Sequence, residues 1–360
     1  MVTREEVLKA LERIVDPASG KNVAASGMVE GLVVKGGNVG FALEVAPERG
    51  RSAEPLRKQC EDAVAALPGV LSVTVVLTAH QAKAPEAARA AAPQPSGVAG
   101  VESIIAVASG KGGVGKSTVA VNLAIGLSQL GLKVGLLDAD IYGPSVPRLL
   151  AIREKPGQGA NHKLLPIEKF GIKTMSIGFL VDEDTPMIWR GPMVQSALTQ
   201  MMSDVLWSPL DVLVVDMPPG TGDAQLTIAQ RVPLKGAVIV STPQDLALID
   251  ARKAIAMFEK IKVPILGLVE NMSVYVCPNC GHESHIFGHG GARATATRMG
   301  AAFLGEIPLV GTIREMSDAG TPVVAQAPES AEAKAYFRVA EEVTKSLKAP
   351  LRAAPRIVLE

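Results

Sequence analysis

The sequence is poor in aromatic residues, in cysteine and in net charge, and each shortage excludes a class of protein. Aromatic side chains make up 3% of its 360 residues, and only three residues are cysteines. Three cysteines cannot build a disulfide framework, which excludes a small disulfide-rich scaffold. Lys and Arg together number 36, as do Asp and Glu, so the chain lacks the positive field that concentrates nucleic acid. We therefore expect no nucleic-acid partner.

Long apolar runs are absent as well. No stretch approaches the ~18 consecutive apolar residues of a membrane span, and Arg4, Glu5 and Glu6 place charges near the beginning. These features predict neither a signal peptide nor a transmembrane helix, and therefore a cytoplasmic protein without a membrane partner. What is abundant is aliphatic residues and glycine, since 48% of the residues are hydrophobic and 35 are glycines. This composition favours α/β layers joined by glycine turns.

The pattern along the chain predicts two folded domains. Residues 1–79 predict a small α+β domain of order αββαβ, in which Cys60 is a buried helix residue. Residues 80–101 are rich in Ala and Pro and predict an extended linker. Residues 102–350 predict the larger domain, and residues 351–360 a short tail.

The larger domain alternates apolar runs with helical patterns, which is typical of buried parallel strands joined by helices. The runs are Ile104–Ala108, Lys133–Leu137, Val212–Val215, Ala237–Val240 and Ile265–Val269. Right-handed crossovers between such strands build a doubly wound, mostly parallel sheet, whose ligands bind beyond the carboxyl ends of the strands. We therefore expect the functional residues in the loops that follow these strands.

The first of these strands leads into a phosphate-binding loop. The segment fits Gly-x4-Gly-Lys-Ser/Thr between a strand and a helix. Backbone N–H groups and the helix N-terminus are expected to hold phosphate, Lys116 to reach the β- and γ-phosphates, and the Ser117 hydroxyl to bind Mg2+. The predicted nucleotide-binding residues of the loop are Gly110, Gly112, Gly113, Val114, Gly115, Lys116, Ser117 and Thr118, whereas Lys111, one residue after the first glycine, taken alone is typical of a solvated loop charge.

Carboxylates follow two further strands. Asp138 and Asp140 come at the end of the second apolar run, and Asp216 at the end of a later one. Asp216 is placed to hold Mg2+ through water, and Asp138 or Asp140 to orient attacking water. We expect Asp138 and Asp216 at the magnesium and Asp140 in catalysis. The Pro- and Gly-rich segment 218–222 predicts a switch that senses the γ-phosphate.

Cys277 and Cys280 follow the last apolar run at C-x2-C spacing, which allows two thiolates to bind one metal centre. Three interpretations are open: an iron-sulfur ligand pair, half of a zinc site completed by His282, His285 or His289, and a redox dithiol. The weakness of the zinc hypothesis is spacing, because a closed zinc knuckle normally draws its second ligand pair from a separate strand or helix.

Residues of about 102–330 resemble the Mrp/ApbC family of P-loop iron-sulfur cluster carriers, within the MinD-type ATPases that have a deviant Walker A loop. The first 79 residues are similar to the MIP18-like domain of iron-sulfur assembly proteins, although they lack its Thr-x-x-x-Cys-Pro motif. The larger resemblance lies in Gly110-Lys111-Gly112-Gly113-Val114-Gly115-Lys116-Ser117, Asp138-Ala139-Asp140-Ile141-Tyr142-Gly143-Pro144-Ser145, Trp189-Arg190-Gly191-Pro192-Met193, Asp216-Met217-Pro218-Pro219-Gly220-Thr221-Gly222-Asp223, Glu270-Asn271-Met272, Cys277-Pro278-Asn279-Cys280, Gly305-Glu306-Ile307-Pro308, Ile313-Arg314 and Asp318-Ala319-Gly320-Thr321-Pro322.

The resemblance implies ATP as the nucleotide, with Asn271 and the backbone near Pro308 at the adenine. It implies a homodimer in which Lys111 crosses to the partner's nucleotide, and in which Cys277 and Cys280 of each chain share one 4Fe-4S cluster. The implied activity is slow ATP hydrolysis together with transfer of a labile cluster to apo iron-sulfur proteins. The expected catalytic residues are Lys111, Lys116 and Asp140.

Two other functions remain open at the level of sequence, a zinc-binding P-loop NTPase and a reductase similar to the nitrogenase iron protein. A membrane-cycling ATPase like MinD is disfavoured, because Pro350 and Pro355 interrupt the segment Ala349–Glu360 that would have to form an amphipathic anchor.

Overall fold

The structure is a computed structural model that describes residues 2–17, 20–35, 37–45, 53–79, 97–159, 163–181 and 191–348. The chain divides into two compact units, residues 1–92 and 93–360. Most of the predicted linker and all of the predicted tail lie outside the described residues, as do Trp189 and Arg190.

The first unit is a three-stranded sheet with two helices. In chain order its elements are α1 (Arg4–Leu11), β1 (Val29–Lys35), β2 (Asn38–Val45), α2 (Glu54–Ala65) and β3 (Ser72–Ala79). Strands β1 and β2 are antiparallel, and β2 and β3 are parallel. Helix α1 begins at a capping box, in which the Thr3 hydroxyl accepts from Glu6 N and the Glu6 carboxylate accepts from Thr3 N. Cys60 is fully buried in α2, as predicted, and the predicted order αββαβ is confirmed.

The second unit contains the remaining elements. They are β4 (Val101–Ala108), α3 (Lys116–Gln129), β5 (Val134–Asp138), α4 (Val146–Leu149), β6 (Ile167–Lys169), β7 (Ile172–Ser176), α5 (Gly191–Ser203), β8 (Leu210–Asp216), α6 (Asp223–Arg231), β9 (Gly236–Ser241), α7 (Asp245–Lys260), β10 (Ile265–Val276), β11 (Glu283–Ser284), α8 (Gly291–Met299), β12 (Phe303–Leu309), α9 (Gly311–Asp318), α10 (Val323–Gln326) and α11 (Ala331–Lys348). Among the described helices, none is both long enough and apolar enough to cross a membrane.

The strands of this unit form one sheet in the order β6-β7-β5-β8-β4-β9-β10, with β11 and β12 both paired to β10. Strands β6 and β11 are antiparallel to their neighbours, and the other pairs are parallel. The prediction of a doubly wound, mostly parallel sheet is therefore confirmed. Strand β4 lies between β8 and β9, so the loop that follows it emerges at the middle of the sheet.

Helix α3 is buried on nearly all sides, which fixes the position of its first turn, where the phosphate-binding segment ends. Its residues from Val119 to Leu127 are buried between the sheet and α11, and Tyr336 and Val339 of α11 are fully buried in the same core. Fully burying a side chain such as Leu stabilises a fold by roughly 1.5–3 kcal/mol. The buried Asn122 side chain adds two hydrogen bonds, one to Thr118 O and one from Val324 N.

The sheet also contains strands that the apolar runs do not predict. Strand β12 includes Gly305 and Pro308, which weaken a strand pattern. Strand β10 continues beyond the predicted end at Val269 and reaches Val276, through the polar residues Glu270 and Asn271. The extension carries the backbone to the first cysteine of the C-x2-C pair.

Candidate functional site

The loop between β4 and α3 requires glycine at three positions. A Cβ atom at Gly110 would collide with the backbone of Asp250 in α7. Gly113 and Gly115 have φ angles of +82° and +80°, in the left-handed region that other residues rarely adopt. The result is a closely packed loop whose last glycine is the N-cap of α3.

A cavity of about 290 Å³ opens over this loop. It brings together most of the predicted loop residues and Asp140. Its lining residues are Ser109, Lys111, Gly112, Gly113, Gly115, Lys116, Ser117, Thr118, Asp140, Ser145, Leu149 and Pro219. The predicted site residues that do not line it are Gly110, Val114, Asp138, Asp216, Asn271, Pro308, Cys277 and Cys280.

Lys116 and Asp216 form a buried ion pair beneath this cavity. The exposed fractions of their side chains are 6% and 0%, and Lys116 Nζ also lies 3.1 Å from Ser117 Oγ. Asp216 Oδ1 accepts from Lys116, whereas Asp216 Oδ2 has no hydrogen-bond partner among the described residues. A buried carboxylate oxygen without a donor is costly in a folded protein, and a bound water or ion is one way of satisfying it. The structure therefore joins the predicted phosphate-binding lysine to the predicted magnesium carboxylate.

Asp138 is fully buried and organises the loop that follows β5. Its Oδ1 accepts from Asp140 N at 3.1 Å, and its Oδ2 accepts from Ser145 N, Val146 N and Ser176 Oγ at 3.0–3.1 Å. Both carboxylate oxygens are thus engaged by protein donors. This geometry favours a positioning role for Asp138 over direct contact with a metal ion.

Burial raises the pKa values of both carboxyl groups that follow β5, Asp138 and Asp140. Burial, reinforced by the negative charge of Asp216, raises the pKa of Asp138 to about 7. Burial also raises the pKa of Asp140, against the opposing effects of the Lys116 charge and the hydrogen bond from Gly143 N. Asp140 is the carboxyl of this pair that lines the cavity.

The predicted switch, residues 218–222, forms a hydrogen bond with the residue at the start of the phosphate loop. Gly220 N donates to Ser109 O at 3.1 Å, and Gly220 has a φ angle of +94°. Gln225 of α6 is buried and donates to Pro218 O at 3.4 Å. The backbone of this segment is therefore in direct contact with the residue at the start of the phosphate loop, and its role as a switch stays a prediction.

Asn271 contacts the phosphate loop directly. Its Nδ2 donates to Val114 O at 2.8 Å, in a buried position. Asn271 is paired with Ile307 across β10 and β12, so Pro308 is the next residue on the neighbouring strand. The structure thus places these two residues beside each other, and their contact with adenine stays a prediction.

Cys277 and Cys280 lie at the tip of a β-hairpin. Tyr275 pairs with Ser284, and the turn is closed by bonds from Gly281 N to Cys277 O and from Cys277 N to His282 O, both at 2.9 Å. Cys277 is half-buried, and Cys280 is exposed. Hydrogen bonds from the backbone N–H groups of Asn279 and Cys280 lower the pKa of the Cys277 thiol. Both thiols are accessible at one surface tip.

The histidines near this hairpin do not complete a metal site with the cysteines. Within the part of the chain that the structure describes, no group of three or more His, Cys, Asp or Glu side chains converges. The rings of His285 and His289 instead lie 4.3 Å apart, and His285 Nδ1 lies 3.4 Å from Ser273 O. The cysteine pair offers two ligands from one chain.

The structure adds one residue that sequence reasoning missed. Glu270 is fully buried in β10, where its carboxylate accepts from Gly290 N at 3.0 Å and from Ala292 N at 2.7 Å. The sequence does contain a signal for this residue, since Glu270 directly continues an apolar strand. A carboxylate in such a buried position needs hydrogen-bond donors around it, which indicates a structured environment.

A further cavity, of about 330 Å³, lies between α5, α6 and the sheet. Its walls include Leu198, Met202, Trp207 and Ile228, and none of the predicted site residues lines it.

Two family models match the chain. The ParA model, described as the NUBPL iron-transfer P-loop NTPase, matches residues 100–344. A model described as an iron-sulfur cluster assembly protein matches residues 4–92.

Curated relatives extend the match. The iron-sulfur protein required for NADH dehydrogenase from Arabidopsis thaliana mitochondria is 59% identical over 250 residues, which is 69% of this chain and 80% of the relative. An iron-sulfur cluster carrier protein from Synechocystis is 44% identical over 348 residues, which is 95% of this chain and 97% of the relative.

Solved structures agree on the fold. A nucleotide-binding protein from Archaeoglobus fulgidus, solved in complex with ADP, is 40% identical with a TM-score of 0.57, over 66% of this chain and 92% of that one. The cell division ATPase MinD from Pyrococcus furiosus is 24% identical with a TM-score of 0.52, over 68% of this chain and 98% of that one, and supports the fold alone. The expected resemblance is thereby confirmed, and the chain belongs to the NUBPL iron-transfer P-loop NTPase family of iron-sulfur cluster carriers.

Proposed function

We propose that this protein binds and slowly hydrolyses Mg-ATP, and that two copies of it hold one labile 4Fe-4S cluster, which they pass to apo iron-sulfur proteins in the cytoplasm. The observation that carries the proposal is the cysteine hairpin, which presents two accessible thiols at one tip. A cubane cluster takes about four protein ligands, one per iron. One chain supplies two, so a second chain has to supply the others.

The residues of the phosphate loop fit a nucleotide. Lys111 and the backbone of Gly112 and Gly113 line a cavity that is open to solvent, as phosphate recognition by N–H groups requires. Lys116 also lines this cavity, and its ammonium group is paired with the buried Asp216 carboxylate. Lys111 would cross to the nucleotide of the partner chain, and Asn271 with the backbone near Pro308 would meet the adenine.

The residues around Asp216 fit a hydrated Mg2+. Ser117 contributes a hydroxyl, and Asp216 contributes the buried Oδ2 atom that has no donor among the described residues. The ion, when bound, would neutralise charge that develops on the phosphates. Asp140 would orient the attacking water, while Asp138 would hold the backbone of Asp140 through its hydrogen bond.

Shared ligation at an exposed tip suits transfer better than storage. A cluster held between two chains would be released when the chains separate, because acceptor thiolates would bond to its irons and replace Cys277 and Cys280 one for one. A zinc site within one chain receives less support, because the described residues offer no third ligand beside the cysteine pair.

The cluster proposal is tested by anaerobic reconstitution of the full chain with iron and sulfide. We expect a brown protein that contains iron without zinc, and that activates an apo iron-sulfur enzyme. A Cys277→Ser/Cys280→Ser variant should stay colourless and inactive in transfer. A colourless wild-type protein that contains zinc would contradict the proposal.

The nucleotide proposal is tested with Ser117→Ala. Removing the hydroxyl should weaken Mg-ATP binding at least about tenfold, because even residues that only support metal ligands commonly contribute that much. Ser128→Ala is the matched control, since Ser128 lies on the same helix but bonds to Gly171 O, away from the cavity. Equal affinity in wild type and Ser117→Ala, measured by calorimetry, would contradict the assignment.

A further inference from the structure

Strand β10 contacts the phosphate loop through Asn271. The bond from Asn271 Nδ2 to Val114 O is buried, and a Cβ atom at Gly115 would collide with the same Asn271 amide group. Glycine at 115 therefore lets the loop approach β10 closely. Because Gly115 is the N-cap of α3, a shift of the loop has to displace either this amide or the start of the helix.

Glu270, the residue before Asn271, forms hydrogen bonds at the far end of the segment that runs from Cys277 to the beginning of α8. Glu270 accepts from Gly290 N and from Ala292 N, at the beginning of α8. The chain between Cys280 and this point is the return path from the hairpin tip. The hydrogen bonds to Glu270 therefore restrain the end of the returning chain at Gly290 and Ala292. Strand β10 restrains its beginning, because the strand ends directly before Cys277.

The backbone between these contacts and the hairpin is bent. Met272 has a φ angle of +58°, which is unusual for a residue with a side chain. The pairing of β10 with β12 shifts register between Asn271 and Tyr275. Such a left-handed residue in a strand persists only when its surroundings enforce it, and it is a place where the strand direction can change.

We propose that Glu270 and Asn271 are positioning residues that couple the nucleotide site to the cysteine hairpin. Movement of the phosphate loop on binding nucleotide displaces Asn271, and the bend at Met272 together with the Glu270 contacts alters the exposure of Cys277 and Cys280. The inference rests on the proposed function, in that the loop is taken to bind Mg-ATP. Six residues of strand span ~20 Å, and coupling over such a distance needs contiguous contacts, which β10 provides.

The test measures thiol alkylation on the reduced, metal-free full chain, and so needs no cluster. We expect a non-hydrolysable ATP analogue with Mg2+ to change the alkylation rate of Cys277 or Cys280 at least about fivefold, the low end of common coupling between sites. Glu270→Gln should bind the analogue within about twofold of wild type and lose most of this response. Asn271→Ala should lose the response as well.

Ser273→Ala is the matched control. Its hydroxyl is buried on the same strand and donates to Ile307 O at 3.1 Å, and among the described residues it forms no hydrogen bond with the phosphate loop or α8. This variant should keep the wild-type response. A full response in Glu270→Gln, or an equal loss of the response in Ser273→Ala and Glu270→Gln, would overturn the coupling role of Glu270 and Asn271.

Two results with the wild-type chain separate this inference from the proposed function. Calorimetric binding of the analogue with no change in thiol reactivity would overturn the coupling while leaving nucleotide binding in place. Failure to bind the analogue at all would overturn both.

Discussion

At the scale of single residues, the buried ion pair of Lys116 and Asp216 links nucleotide binding to the stability of the fold. Sequence alone predicts that Lys116→Ala removes ATP binding and leaves the fold intact. The structure changes the second expectation, because Asp216 would remain buried without its cation. Removing one partner of a buried ion pair commonly costs about 3–5 kcal/mol.

The pair can be tested by a double substitution. Lys116→Met should lower the free energy of unfolding of the large unit by about 3 kcal/mol or more, because it leaves an unpaired buried carboxylate. Asp216→Asn in addition should restore most of the loss, since the amide carries no charge. Calorimetric unfolding of the full chain measures both. If the single and double variants melt alike, the ion pair contributes little to stability.

The surroundings of Cys277 and Cys60 shift the pKa values of their thiols in opposite directions. Backbone N–H groups lower the pKa of Cys277, so its thiolate is present at lower pH than that of an ordinary thiol. Burial raises the pKa of Cys60 to about 11. In the native metal-free chain, iodoacetamide at pH 7 should therefore modify Cys277 well before Cys60. As the pH is raised, the alkylation rate of Cys277 should begin to increase at a lower pH than that of an ordinary cysteine.

Peptide mass mapping over time gives these rates residue by residue. Denaturant is the control, because it should make Cys60 as reactive as the other thiols. Alkylation of Cys60 in the native chain as fast as that of Cys277 would contradict the described burial.

At the scale of elements, the phosphate loop depends on the helix beside it. Gly110→Ala should destabilise the large unit, because the added methyl meets the backbone of Asp250 in α7. Overpacking of this kind costs about 1–3 kcal/mol, or roughly 2–10 °C in melting temperature for a unit of this size. Gly112→Ala is the control, since the added methyl would lie 4.0 Å from Pro219 Cβ, an ordinary van der Waals contact. Equal melting temperatures for the two variants would contradict the close packing.

The elements most visible in the sequence were those with long apolar runs. Strands β4, β5, β8, β9 and the first part of β10 follow from their Val, Ile and Leu runs, and the phosphate loop follows from its glycines. Strand β12 was missed because Gly305 and Pro308 interrupt it, and β6 because its three residues carry no apolar run.

The site was less predictable where burial is created by tertiary contacts. Glu270 and Asn271 follow the predicted strand end at Val269, and their sequence does not show that both are buried, with hydrogen bonds from α8 to Glu270 and from Asn271 to the phosphate loop. The role of Asp138 likewise depends on Ser145, Val146 and Ser176, which local sequence patterns do not bring together with it.

At the scale of the whole molecule, the proposed cluster is also an assembly contact. A ligand that binds only the paired chains stabilises the pair by mass action. Two chains that use one surface patch twice form an isologous dimer, which brings both hairpins to a twofold axis. Loss of either cysteine should therefore remove cluster and dimer together, whereas Cys60→Ser should affect neither.

Native mass spectrometry of the anaerobically reconstituted chain tests the central claim most directly, because one spectrum gives both the number of chains and the metal content. The account predicts a species of two chains with one 4Fe-4S cluster, or about two irons per chain. Cys277→Ser should appear as a metal-free single chain. A single wild-type chain that carries a complete cluster, or a wild-type chain that carries zinc, would contradict the account.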